Sequence, residues 1–157
     1  MSQRATPPWP VDVVEGDISL VDEVVPLFDG YRRFYGQTSD PPGIRAFLQE
    51  RFVRHDSVVF LARTPEGRAV GFVQLYPSFS SVSMQRLWIL NDLFVVPEAR
   101  RRGIARALMS RAQAFARESR AKGLVLETAV DNHAAQALYE SLGWHRQTEF
   151  CTYLLNV

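Results

Sequence analysis

Three stretches of this sequence carry side chains whose types and spacing could do chemistry. Arg100-Arg101-Arg102-Gly103-Ile104-Ala105 sets cations and two small residues at the start of a helix-periodic run. Such a turn lets backbone N–H groups converge on anionic oxygens at the positive end of a helix dipole, since Gly103 and Ala105 put no bulk in the way. Taken alone, the same residues read first as a solvated basic helix start. They are not a nucleotide P-loop, because that pattern's second glycine, lysine and Ser/Thr are absent. A second stretch, Tyr31-Arg32-Arg33-Phe34-Tyr35-Gly36-Gln37, interleaves aromatics with cations, and Tyr76-Pro77-Ser78-Phe79 adds two more rings. The third is Asn91-Asp92, a polar pair inside an apolar run, with Glu127 inside another. In a regular strand Asn91 and Asp92 face opposite sides. The lone Cys151 reads as a small core residue in a terminal strand, His133 as a surface residue, and His55 and His145 have no ligand spacing, so no metal site is expected.

An alternation of elements must position these groups. Residues 11–15 form a strand candidate, after which Asp17 or Ser19 can cap a helix through Val21, Val24, Val25 and Phe28. Pro26 lies inside that pattern, so the helix either starts late or kinks. Residues 31–36 lead to a second helix, opened by Asp40-Pro41-Pro42-Gly43, with Ile44, Phe47, Leu48 and Phe52 on one face. Residues 58–63 and 69–76 flank a hairpin turn; Pro77 to Ser83 is read as the next connection, and residues 87–96 as the third strand of a meander.

After Gly103, the spacing of Ile104, Leu108, Ala112 and Phe115 predicts an amphipathic helix stopped by Gly123. Residues 124–130 are an apolar strand, parallel to the 87–96 strand because strand, helix, strand is a βαβ unit. Asp131 and Asn132 can cap a short helix over residues 133–142, ended by Gly143, and residues 144–147 and 149–155 read as final strands. The expectation is one mixed α/β domain over residues 1–157, with residues 1–10 as an extended lead-in.

Composition narrows the class. With 157 residues, 46% hydrophobic and 22% charged, the chain suits one soluble domain with a proper core. A net charge of +1 gives no global bias towards nucleic acid or membrane. No apolar run approaches the roughly eighteen residues of a membrane span, the first residues lack a secretory signal's apolar region, and one cysteine excludes an intramolecular disulfide framework. A cytoplasmic location is expected.

Residues 95–109, VVPEARRRGIARALM, resemble the acyl-CoA pyrophosphate loop of the GNAT superfamily of N-acyltransferases, whose pattern of Arg or Gln, two residues, Gly, one residue and Gly or Ala is met by Arg100, Gly103 and Ala105. Residues 131–144, DNHAAQALYESLGW, are similar to that family's second cofactor motif. The resemblance covers residues 57–157 well and the N-terminal third by topology only. It implies a GNAT-type fold: one twisted, mostly antiparallel mixed sheet of about 6–7 strands, a parallel central pair splayed for the cofactor, and about four helices on both faces. It also implies acetyl-CoA as cosubstrate, with the pantetheine arm pairing to backbone at Leu93, Phe94 and Val95 and the pyrophosphate on Arg101, Arg102, Gly103, Ile104, Ala105 and Arg106. An amine would attack the thioester directly, with a backbone N–H near residues 93–95 stabilising the oxyanion.

In the family's pattern Tyr139 takes the position of the general acid that protonates the leaving thiolate; by itself it reads as helix packing beside Ala135 and Leu142. Asn132 either only caps its helix or also bonds the pantetheine amide. Some polyamine-acetylating relatives carry Glu-Asp where this chain has Asn91-Asp92, and an amide cannot be the base. Asp92 is then a structural cap on a bulge or a water-relayed base, with Glu127 a second candidate.

The resemblance makes Tyr31, Arg32 and Tyr35 one wall of the acceptor pocket and Tyr76 a second, with Asn91 beside them; the same rings could instead close the core over a helix junction. Aromatics with arginines suit an amino acid or related small amine and repel a polycation. The leading expectation is an N-acetyltransferase for a small primary amine. The alternatives are a protein lysine or N-terminal acetyltransferase, which needs an open groove, and a non-catalytic acyl-CoA sensor. Nucleic-acid binding lacks a second basic element. By analogy with relatives, a homodimer would use the apolar stretch from Phe150 to Leu155.

Overall fold

The computed structural model describes residues 9–157. They divide into two compact units, one ending at Glu127 and one spanning Thr128–Val157. The first unit holds a five-stranded sheet in sequence order, β1 (Asp12–Glu15), β2 (Val58–Arg63), β3 (Ala69–Ser80), β4 (Gln85–Val95) and β5 (Gly123–Val125). All neighbours are antiparallel except β4 and β5, which are parallel. The sheet therefore has fewer strands than expected, and its parallel pair lies at an edge instead of the centre.

Helices α1 (Val21–Phe34) and α2 (Pro41–Arg54) cover one face. Asp17 does cap, but on a short 3-10 turn, Ile18–Leu20, that leads into α1. Pro26 stays inside α1, and the residues expected to connect the helices form its last turns as far as Phe34. The reason is burial: Val24, Leu27 and Phe28 continue through Tyr31 along one face, and Phe28 stacks on Phe72 of β3 with centroids 5.6 Å apart. Burying a ring of that size contributes about 2–3 kcal/mol. Asp40 caps α2 through the Gly43 N–H, and the Asp29 carboxylate of α1 accepts from Ser39 Oγ and the Asp40 N–H at 2.9 and 3.2 Å. That pair of bonds clamps the α1–α2 connection.

Helix α3 (Ile104–Glu118) packs on the other face, where Phe115 meets Phe60 of β2 and Trp88 of β4 and the Trp88 indole N–H donates to Ser119 at 2.8 Å. Strand β3 runs through Pro77 to Ser80, where the sequence suggested a connection. Pairing with β2 ends at Val58 opposite Leu75, so beyond that point β3 is an edge and tolerates a residue without an N–H.

The second unit contains α4 (His133–Ser141), with Asn132 as its N-cap accepting from the Ala135 N–H at 3.3 Å and Gly143 in the left-handed conformation after it. The expected strand over residues 124–130 is limited to β5, and the expected strands over 144–155 do not form among the described residues. Phe150, Tyr153, Leu154 and Leu155 are exposed there, because a strand without a paired neighbour gains no ladder. Cys151, expected in the core, is exposed too.

Strand β3 crosses α3 closely at Gly71. A Cβ added there would stand 2.8 Å from the Phe94 carbonyl oxygen and 3.3 Å from Leu108 Cδ1. Gly71→Ala should therefore destabilise by about 2 kcal/mol, read as a lower urea midpoint at unchanged slope. An unchanged midpoint would show that β3 and β4 can part at this point.

Candidate active site

The anion loop follows β4 directly. A 3-10 turn, Pro97–Ala99, leads to Arg100, and Gly103 then begins α3 as its N-cap with φ 78° and no capping side chain. Arg101 also takes a positive φ, 60°, which is strained for a residue with a Cβ. The first intrahelical bond runs from the Ala107 N–H to the Gly103 carbonyl at 3.0 Å. The N–H groups of Ile104 and Ala105 precede it, where a helix has no carbonyl of its own to offer them. An uncapped, glycine-started helix with arginines around it leaves those N–H groups to water or to an anionic ligand.

On its other side β4 pairs with β5 over a short stretch only. Parallel pairing with β5 stops at Ile89 opposite Val125. Val96 gives its N–H to Val70 on β3 at 3.0 Å. Backbone direction alternates along a strand, so Val95 and Leu93 turn their N–H and C=O groups to the opposite, unpaired side. Arg100 already uses one of these groups: its Nε donates to the Val95 carbonyl at 3.0 Å, with the guanidinium over the rings of Phe34 and Phe94.

A bulge decides where the polar pair points. Gln74 of β3 lies opposite Asp92, while the next residue, Leu75, lies opposite Leu90, leaving Asn91 as the extra residue. Trp88 accordingly faces α3, yet Phe94, an even step along the strand, packs against α1 with Phe28 and Phe72. The bulge turns the Asp92 side chain to the α1 face of the sheet, although the residue is only 3% exposed. Bulges re-aim side chains in this way.

Around Asp92 the structure collects Gln74, Asn91, Tyr31 and Tyr76. Gln74 Nε2 donates to Asp92 Oδ2 at 3.0 Å and to the Tyr76 hydroxyl at 2.5 Å; Asn91 Nδ2 donates to Asp92 Oδ1 at 3.1 Å; and the Tyr31 hydroxyl donates to the Asn91 carbonyl at a long 3.4 Å. Burial raises the Asp92 carboxyl above its ordinary 3.8, against the opposing hydrogen bonds from Tyr31, Asn91 and Gln74. Burial and the nearby Asp92 charge push Tyr76 up to about 12 and Tyr31 well above the ordinary phenol value. Both phenols hold their protons at neutral pH, while the Asp92 carboxyl, raised by burial, is the strongest acid of the group and gives up its proton before either phenol does.

Of the sequence candidates, the structure brings together Tyr31, Tyr76, Asn91 and Asp92. Arg32 is elsewhere: it donates to the Thr38 carbonyl at 3.2 Å and lines a cavity of about 310 Å³ between α1 and α2, with Phe28, Asp40, Gly43, Ile44 and Phe47. Tyr35 is 62% exposed and reaches the group only through an edge contact with Tyr31. Glu127 is exposed beyond the end of β5. In the second unit Tyr139 packs its ring against Trp144 with centroids 6.2 Å apart. Gln74 was missed by reading the sequence. Its signal is a lone amide within an otherwise apolar run, Val70 to Leu75, and it is fully buried with Oε1 lacking a partner.

Among the described residues no three His, Cys, Asp or Glu side chains group as a metal site, and no helix is long and apolar enough to cross a membrane. Residues 24–144 match the acetyltransferase (GNAT) family. The chain is 49% identical over 134 residues to the "Uncharacterized N-acetyltransferase YhfO" of Bacillus subtilis, covering 85% of this chain and 89% of that protein. A solved structure described as "a probable acetyltransferase" superposes with a TM-score of 0.89 at 45% identity, over 93% of this chain and 97% of the other. The aminoglycoside N-acetyltransferase AAC(6')-Iy, solved in complex with CoA, shares the fold at a TM-score of 0.76 and 19% identity, over 94% and 96% of the two chains.

The raised Asp92 has a consequence for stability. The folded protein holds that proton more tightly than the unfolded chain, so the contribution is complete below the unfolded value and is lost as pH rises through the folded one. Asp92→Asn should remove this slope, and its stability relative to wild type should improve from about pH 4 upwards, whatever constant offset the amide introduces. Urea unfolding at a series of pH values checks it; parallel curves for the two proteins would show that Asp92 is not the titrating group.

Proposed function

The chain belongs to the acetyltransferase (GNAT) family, and we propose that this acetyl-CoA-dependent enzyme acetylates the primary amine of a small molecule, an amino acid or related amine. One observation carries the reading: the bulge at Asn91 sets a buried carboxyl of raised pKa beside two phenols and next to the part of β4 beyond its pairing with β5. The AAC(6')-Iy neighbour, solved with CoA, supports the cosubstrate, and its naming as an aminoglycoside N-acetyltransferase supports a small-molecule amine.

Acetyl-CoA, when bound, supplies an activated acyl thioester. The backbone N–H groups at residues 103–105 and the loop arginines would hold its pyrophosphate, and the edge of β4 at Leu93 and Val95 its pantetheine arm. Phe94 does not line that edge with its side chain, which is buried against α1; its part is to hold the strand in place. Asp92 accepts the proton the amine gives up, through water where the two do not touch, since burial raises its pKa and makes its carboxylate a better acceptor than an exposed one. Asn91, placed where some relatives have a Glu, is not a second base here: its amide donates to Asp92 and orients it. A backbone N–H of the β4 edge meets the oxyanion. Protonation of the leaving thiolate is assigned to Tyr139 from its place in the second motif, with Asn132 capping the same helix. Residues 31–37 and 76–81 carry no acidic side chain of their own, which disfavours polyamines, although Asp92 and Asp56 both act on Tyr76.

The test is a panel of amines and amino acids with acetyl-CoA, followed by thiol release. A small amine should be turned over, and Tyr139→Phe should lower kcat about a hundredfold while the KM for acetyl-CoA moves little. Cofactor binding without turnover across the panel would favour a sensor. Gly103→Val, placing a branched side chain at φ 78°, should raise the Kd for coenzyme A at least about tenfold with the fold retained by circular dichroism.

A further inference from the structure

Two of the three loop arginines have their guanidinium planes on rings. Arg100 is committed to Phe34, Phe94 and the Val95 carbonyl. Arg102 lies over the indole of Trp9, 4.3 Å from its centroid, and the Trp9 backbone N–H donates to the Arg102 carbonyl at 3.2 Å. Trp9 precedes β1, in the extended lead-in to which the sequence assigned no role.

We infer that Trp9 is a positioning residue for the phosphate groups of the acyl-CoA cosubstrate, holding the Arg102–Gly103 peptide and the Arg102 side chain in their binding orientation. The inference rests on the acetyl-CoA reading above. A trans peptide is planar, so the Arg102 carbonyl and the Gly103 N–H point in opposite directions. Drawing that carbonyl towards Trp9 turns the Gly103 N–H away from Trp9. Were the peptide free to flip, the loop could present a carbonyl oxygen in place of an N–H, and an oxygen repels phosphate. The segment needs such a restraint, because Arg101 and Gly103 both sit at positive φ, where a short loop has little of its own to hold it. The stacked guanidinium keeps its in-plane N–H donors available while losing rotational freedom, so less order has to be gained on binding.

Calorimetric titration of the full chain with coenzyme A tests this. Trp9→Ala should weaken binding about three- to tenfold. The KM for acetyl-CoA should rise in step, while kcat moves much less. Trp9→Phe, which keeps a ring under the cation, should stay within about twofold of wild type. Arg102→Lys, which keeps the charge but not the planar face, should behave as Trp9→Ala does. In a double-mutant cycle the two losses should be less than additive. Wild-type affinity in Trp9→Ala would overturn the inference. So would a lowered melting temperature and kcat with no change in coenzyme A affinity, since that marks a mere anchor for the lead-in. If wild type binds no coenzyme A and Gly103→Val changes nothing, the acetyl-CoA reading falls as well; if Gly103→Val weakens binding and Trp9→Ala does not, only the role of Trp9 falls.

Discussion

A buried carboxyl is the constraint on which this structure turns. Asp92 lies in a sheet whose α1 face is otherwise packed with Phe28, Phe72 and Phe94, and removing a charge from water there is costly. The chain meets that cost with donors supplied by its own neighbours: Gln74 across the ladder, Asn91 beside it and the Tyr31 phenol from α1. Each comes from a different kind of placement, namely cross-strand register, a bulge and a helix face. The partial compensation leaves the carboxyl readier to hold a proton than an exposed one. A core that tolerates this gives up stability above the ordinary carboxylate range in return for a group that accepts protons more readily than an exposed carboxylate.

The loop shows the opposite economy. Its arginines look like a block of charge, yet Arg100 is spent on the end of β4 and Arg102 on Trp9. On the proposed acetyl-CoA reading, the backbone N–H groups and a pre-oriented Arg102 would share the phosphates, and both lose little further freedom when a ligand arrives. The same contacts tie the loop to the end of α1 through Phe34 and to the lead-in through Trp9.

The loop, β4 with α3 after it, and the short helix with Asn132 at its cap were legible because each is a local pattern: glycine position, apolar period and capping residue. The end of α1 was obscured by its own aromatics, although Val24, Phe28 and Tyr31 keep helical spacing through it. The bulge was not legible as an observed feature. An extra residue is set by how β4 pairs with β3, and the rule that adjacent side chains oppose each other pointed Asn91 and Asp92 apart without saying which faced α1. Pro77 was read as a stop for the same reason, since its tolerance depends on where β2 ends. The final strands failed because alternation is necessary for a strand but a partner is what makes one.

Cys151 stands apart from all of this chemistry, and its exposure changes how the protein is handled at the bench. It is the one thiol in the sequence, so a reagent that reports liberated coenzyme A also titrates one sulfur per chain. The background is stoichiometric and can be subtracted, and blocking it with an alkylating agent touches no other cysteine. The same uniqueness offers a single attachment point for a spin label or dye in the unit that carries Tyr139, with Trp9 and Trp88 in the other unit as intrinsic optical partners.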